Sequence, residues 1–154
     1  MQNEPRFIYT IGTSTRSIEE FIRLLKSHGI ETVVDVRRFP ISRFEHFHGD
    51  NLDRSLEEAD IRYIHMGEEL GGHRRGGYEA FMETDTFVSG LDRLEEIATE
   101  SRTAIVCAER FPWRCHRRFI RAGLEGRGWT VCHIIDEGRD WIPGKKQSGR
   151  SGQQ

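Results

Sequence analysis

Residues 103–118 read TAIVCAERFPWRCHRR. Thr103 to Cys107 is an apolar run of strand length and predicts a buried strand. Behind it, a second cysteine, a glutamate, a histidine and four arginines crowd into residues 108–118. Pro112 does not suit a helix interior, so it breaks any early helix. The next helix is expected from Cys115 or His116 to about Arg127, ended by Gly126 and Gly128. The order is strand, polar turn, helix, with reactive and cationic side chains where a buried strand ends.

The same order recurs on both sides of this stretch. Phe7 to Ile11 predicts a first strand, closed by Gly12. Ser17 with Glu20 three residues later is a capping-box pattern, and Ile18, Phe21, Ile22 and Leu25 follow helical spacing up to Gly29. Thr32 to Val36 is a second strand, apolar on both faces as in a parallel sheet covered by helices. A polar loop, Arg37 to Asp50, precedes a helix carrying Leu52, Leu56 and Ala59. Ile61 to Met66 is a third strand. After the glycine-rich residues 67–77 and a helical turn at Tyr78 to Met82, Thr84 or Asp85 caps a helix bearing Phe87, Val88, Leu91, Leu94, Ile97 and Ala98. Trp129 to Ile135 is a fifth strand. The expected fold is α/β: a single three-layer domain over residues 5–143, with an open, mostly parallel sheet of about five strands and helices on both faces. Residues 144–154, polar and glycine-rich, are expected to be a disordered tail. In such a sheet, ligands bind beyond the carboxyl ends of the strands.

The chain has 154 residues, a formal net charge of -2 and three cysteines. That charge disfavours a general nucleic-acid coat protein, though not a local basic patch. Three cysteines with no apolar leader argue against a secreted disulfide scaffold. No run approaches a membrane span. A reduced, cytoplasmic protein is expected, with an anionic small molecule or a nucleic acid as its partner and no membrane. There is no Walker A loop and no dinucleotide fingerprint, so the motifs assign no cofactor.

The loops after the strands hold the candidate residues. After the first strand, Gly12-Thr13-Ser14-Thr15-Arg16 is either an anion-presenting turn or an ordinary turn and cap. After the second, Asp35 is followed by Arg37, Arg38 and Arg43. A carboxylate inside an apolar run needs a partner, so Asp35 pairs with an arginine, or the arginines hold a substrate phosphate or carboxylate, or both. His46 and His48 are weak as metal ligands. His73, Arg74 and Arg75 add donors to the glycine-rich stretch, which is a lid or a plain surface loop.

After the fourth strand, Cys107, Glu109, Cys115, His116 and Arg117 admit several readings. A phosphatase loop is disfavoured, although Cys115-x5-Arg121 matches its string. The five intervening residues contain no glycine, and the cysteine at the strand's end is Cys107. Zinc through Cys107, Cys115 and His116 lacks a standard spacing. A thiol redox or sulfur-transfer site draws on Cys115 near a helix start, where amides and cations lower a thiol's pKa. Acid–base work by Glu109 and His116 on an anion, or a purely structural role with the cysteines as packing residues, completes the set.

Together, IYTIGTSTRSIEEFIRLLKSHGI, VVDVRRFPISR, ELGG and CAERFPWRCHRR resemble the bacterial and archaeal family called domain of unknown function 488, over about residues 7–136. The resemblance implies Asp35, Arg37, Cys107, Glu109, Cys115, His116 and Arg117 as characteristic positions. Thr13 stands where members commonly carry a histidine, so any proton carried at that place in the family needs another group here.

The leading expectation is a small enzyme acting on an anionic, phosphate- or nucleotide-like ligand. Glu109, Cys115 and His116 are its catalytic candidates, and Ser14, Asp35, Arg37, Cys107 and Arg117 its ligand-binding candidates, with no metal. The alternatives are a non-catalytic module binding nucleic acid or protein through the arginines, and a thiol redox or metal-binding protein.

Overall fold

A computed structural model describes residues 6–144. Six strands, β1 (Arg6–Gly12), β2 (Thr32–Asp35), β3 (Arg62–His65), β4 (Thr103–Cys107), β5 (Trp129–Asp136) and β6 (Arg139–Trp141), form one sheet in the order β3-β2-β4-β1-β5-β6. β1 to β5 pair in parallel, and β6 lies antiparallel to β5 at the edge. The α/β fold with a mostly parallel sheet is as the sequence implies. β6 went unread, because Arg139-Asp140-Trp141 has no apolar run; an edge strand this short needs only one covered face. Of the tail expected over residues 144–154, residues 145–154 fall outside the described residues.

Every residue of β2 and β4 is buried, as expected of inner strands covered on both faces. Successive side chains of a strand point to opposite faces. Ile11, Val33, Ala104 and Val106 therefore pack with Phe21, Leu24 and Leu25 of α1 (Ile18–Ser27) and Leu52 and Leu56 of α2 (Gly49–Glu58). Ile8, Val34, Ile105 and Cys107 pack on the other face, with Leu91 and Leu94 of α5 (Asp85–Glu100) and Ile120 and Leu124 of α6 (Arg117–Glu125). Between β3 and α5 lie two single-turn helices, α3 (Gly67–Leu70) and α4 (Tyr78–Phe81). Ser17 caps α1 by accepting from the Glu20 amide at 3.0 Å, and Thr84 caps α5 by accepting from Phe87 at 3.2 Å. The Glu20 carboxylate turns to Arg16 at 3.4 Å.

This topology sets the site. The helices that follow β1 and β2 cover one face, and the helix that follows β4 covers the other. β4 lies between β2 and β1. Its outgoing chain thus parts from those of both neighbours, which opens a crevice at its carboxyl end. The turn after β4 is more ordered than the sequence implies. Pro112 opens a 3-10 turn, Pro112–Arg114, instead of merely breaking a helix. α6 starts at Arg117, so Cys115 and His116 precede it.

Candidate active site

Cys107 ends β4 and is buried on the α6 side. The 3-10 turn folds the chain back, so that Cys115 Sγ lies 3.2 Å from Cys107 Sγ; both are free thiols. Arg117, in the first turn of α6, donates to Cys115 Sγ from its backbone N at 3.4 Å and from Nε at 3.2 Å. Its Nη1 donates to Thr10 Oγ1 at 2.9 Å, and its Nη2 to the Glu109 carbonyl. Thr10 Oγ1 is itself 2.6 Å from His133 Nδ1. Arg117 is therefore a fixed, fully buried cation behind Cys115.

These contacts separate the two thiols chemically. Burial, then the bond to Cys115, pushes Cys107 well above the ordinary thiol value. The bond from Cys107 is the main influence holding Cys115 below that value, and the Arg117 guanidinium adds to it, against the effect of burial. The consistent arrangement is a Cys107 S–H donating to a Cys115 thiolate. The Cys107 bond first, then the Arg117 guanidinium and the Arg117 backbone N–H at the start of α6, account for the thiolate.

Asp35 at the end of β2 is fully buried and accepts four bonds. Arg37 donates from its backbone N at 3.1 Å, from Nε at 2.9 Å and from Nη2 at 2.7 Å, and the Tyr63 hydroxyl donates at 2.6 Å. Burial opposes the charge on Arg37, but its bonds to Asp35 more than compensate and keep its pKa raised. Arg37 is only 6% exposed, and its Nη1 has no hydrogen-bond partner among the described residues. The guanidinium is fixed by two nitrogens, and its third is an unmatched buried donor.

Arg37, Cys107, Glu109, Cys115 and His116 line one cleft of about 740 Å³. Arg38, Arg74, Arg114 and Arg118 add positive charge to it, and Phe39, Ile41, Tyr78 and Phe119 add apolar wall. His116 stands against the Val36 carbonyl at 3.3 Å through Nε2. Burial pushes its pKa down to about 4, so at neutral pH the ring is neutral. If Nε2 donates to Val36, Nδ1 is an acceptor. Glu109 is exposed at the rim and lines this cleft and a neighbouring one.

Not all the expected residues meet in this cleft. Asp35 and Arg117 lie behind it, orienting Arg37 and Cys115. Ser14 lines the neighbouring cleft of about 490 Å³, and its hydroxyl accepts from Arg110 at 3.1 Å. The Thr13 and Ser14 amides donate to the Cys107 and Ala108 carbonyls, each at 2.8 Å. The turn after β1 is thus a structural tie and does not present those amides to an anion. Thr13 faces the same neighbouring cleft.

His46 and His48 bond to the Arg16 and Ser42 carbonyls at 3.0 and 2.7 Å. Arg121, of the phosphatase-like string, pairs with Glu125 at 3.1 Å. Arg74 bonds the Gly71, Gly67 and Glu68 carbonyls and lies over the Phe81 ring, tying down part of the glycine-rich stretch. Among the described residues, no group of three or more His, Cys, Asp or Glu is arranged to hold a metal ion. Nor is any helix among them long and apolar enough to cross a membrane.

Tyr63, Thr10 and His133 were not foreseen. A tyrosine or threonine in an apolar strand gives no sequence signal of the buried charge it serves.

The family model described as Domain of unknown function DUF488 matches residues 17–124. That span runs from the cap of α1 into α6 and includes both cysteines, Asp35 and Arg37; Gly12 to Ser14 precede it. No curated protein and no solved structure matches the chain.

Proposed function

The chain belongs to the domain of unknown function 488 family, and from the chemistry of its cleft we propose that it is an enzyme acting on an anionic ligand, with Cys115 as nucleophile. The observation that carries this reading is the pairing of two prepared groups in one cleft. Arg37 has a buried donor without a partner among the described residues, and Cys115 is a thiol backed by the fixed cation Arg117. Arg37 binds the anion. Cys115 attacks an electrophilic centre of the bound molecule, and the Cys107 bond together with Arg117 keeps the sulfur ionised. Water at the open rim, where Glu109 stands, supplies the proton to the leaving group. His116, neutral, accepts a hydrogen bond from the ligand. The arginines with Phe39, Tyr78 and Phe119 suit a molecule that joins an acid group, phosphate (as in a nucleotide) or carboxylate, to an apolar body. A reducing, cytoplasmic setting keeps such a thiol available.

A second reading has its own observation. Phe39 and Trp113 are 62% and 47% exposed, near Arg38 and Arg114. Aromatic side chains interleaved with arginines are a stacking platform for single-stranded nucleic acid. Calorimetric titration separates the two. Pyrophosphate and ADP are expected to bind the wild type and to lose about tenfold or more in affinity in Arg37→Lys, which keeps a cation beside Asp35 but lacks the spare nitrogen. Binding of oligonucleotides alone, with a steep salt dependence and no effect of Arg37→Lys, replaces the enzyme reading with the second one.

A further inference from the structure

The proposed chemistry uses one thiol, yet the cleft holds two. Cys107 forms its floor at the end of β4, and Cys115 lies on the chain that folds back over it. Their sulfurs stand 3.2 Å apart, so a disulfide of ~2.05 Å needs them to close by only about 1.2 Å. The two are inequivalent in position. Cys107 is 2% exposed, whereas Cys115 is partly open. The third cysteine, Cys132, is buried on β5 and serves as an internal control. A partly open thiol beside a cation, with a buried thiol in contact with it, is the arrangement that two-step thiol exchange requires.

We infer that Cys115 and Cys107 form a thiol–disulfide exchange centre, whose substrate class is a small disulfide bearing carboxylate groups, held through an acid group by Arg37. The inference rests on Cys115 being the nucleophile and names what it attacks. In the first step the Cys115 thiolate attacks one sulfur of R–S–S–R′. A Cys115–S–S–R bond forms, the substrate's S–S bond breaks, and R′–S⁻ leaves and takes a proton from water. In the second step Cys107 attacks Cys115 Sγ. The Cys107–Cys115 disulfide forms, the mixed disulfide breaks, and the Cys107 proton leaves with R–SH. The substrate gains two electrons, and the pair of protein thiols loses them. An external dithiol resets the centre by the reverse exchange.

Burial explains the order of attack. The substrate meets Cys115 first because Cys107 lies under it. Cys107 loses its hydrogen-bond acceptor only once Cys115 is capped, and is then free to resolve the intermediate.

The test is the stoichiometry of full-length, reduced protein exposed to glutathione disulfide, a carboxylate-bearing probe. Released thiol is counted, and the protein is followed by intact mass and peptide mapping. The wild type is expected to release two glutathiones per chain and to end with a Cys107–Cys115 disulfide and no retained adduct. Cys107→Ala is expected to release one and to keep glutathione on Cys115. Cys132→Ser is expected to behave as the wild type. Because the wild-type count is itself decisive, the test does not depend on a variant folding. A wild type that stops at one released thiol, with glutathione retained on Cys115, overturns the inference. Rapid alkylation of Cys115 by iodoacetamide at neutral pH in that same protein leaves the nucleophile reading standing. Failure of Cys115 to react with either reagent removes both.

Discussion

Arg37 is joined to Asp35 by two side-chain bonds, 2.9 Å from Nε to Oδ1 and 2.7 Å from Nη2 to Oδ2. That fork fixes the plane of the guanidinium and leaves Nη1 without an acceptor among the described residues. Asp35 in turn is filled by the Arg37 amide and the Tyr63 hydroxyl. The carboxylate therefore orients the cation from behind the cleft.

Breaking this pair from one side is expected to be costly, because it strands a buried charge. Asp35→Ala is predicted to lose ~3–5 kcal/mol of stability, whereas Tyr63→Phe, which removes one hydrogen bond to a charged group, loses ~1.5–3 kcal/mol. Urea unfolding monitored by circular dichroism gives both values. Equal, small losses would show that the pair is not a structural unit.

Cys115 is predicted to react as a thiolate at neutral pH. Its alkylation rate by iodoacetamide is expected to rise with a midpoint below the ~8.5 of an ordinary cysteine, while Cys107 and Cys132 stay slow. Arg117→Lys keeps a charge but loses the fork that reaches Thr10 and Glu109. Its midpoint is expected to move up toward the ordinary value, with the rate at pH 7 falling as the thiolate fraction falls. Mass-resolved alkylation across pH checks this.

What could be read in advance divides along physical lines. The parallel sheet was legible because Thr103 to Cys107 and Thr32 to Val36 are apolar on both faces, and the strand-end rule located the cleft from those runs alone. Asp35 and Cys107 were also legible, since polar or reactive groups at the ends of buried strands need a partner, whereas the return of Cys115 onto Cys107 was not. The division of labour among them was not. Nothing in the order of residues tells that Arg117 turns inward to Thr10 while Arg118, its neighbour, lines the cleft. Ser14 looked like a ligand group because small hydroxyl residues follow β1, but long-range hydrogen bonds to the Cys107 and Ala108 carbonyls claim that turn.

Stability is predicted to fall in mild acid. Burial is the first cause pushing His116 down to about 4 and His133 down to about 3, and both titrate near 6.5 when unfolded. Below pH 6.5 the unfolded chain binds these protons and the folded chain does not. Their contribution is thus complete above pH 6.5 and is lost as pH falls toward 4, at up to about 1.4 kcal/mol per pH unit for each histidine. His28 acts oppositely. Its bond to Asp140 raises its pKa, so its contribution is full below pH 6.5 and lost as pH rises through the folded value. Unfolding free energies measured between pH 4 and 8 check the balance, and His133→Gln is expected to reduce the slope below pH 6.5. An unchanged slope contradicts the assignment.

Gly12 is predicted to tolerate no side chain. A Cβ there would stand 1.8 Å from the Glu109 carbonyl oxygen, a backbone atom that also receives Arg117. Gly12→Ala is expected to cost ~1–3 kcal/mol through overpacking and, by displacing that carbonyl, to slow alkylation of Cys115. Thermal unfolding and the alkylation rate are the two readouts. A variant with wild-type stability and reactivity would break the proposed link between β1 and the thiol.

The central claim is that an anion held by Arg37 lies beside a reactive Cys115. Its most direct test is the alkylation rate of Cys115 at neutral pH in the presence and absence of pyrophosphate, in the wild type and in Arg37→Lys. Pyrophosphate is predicted to slow the reaction several-fold in the wild type and to have little effect in the variant. Unchanged rates in the wild type, or equal protection in both proteins, would contradict the claim.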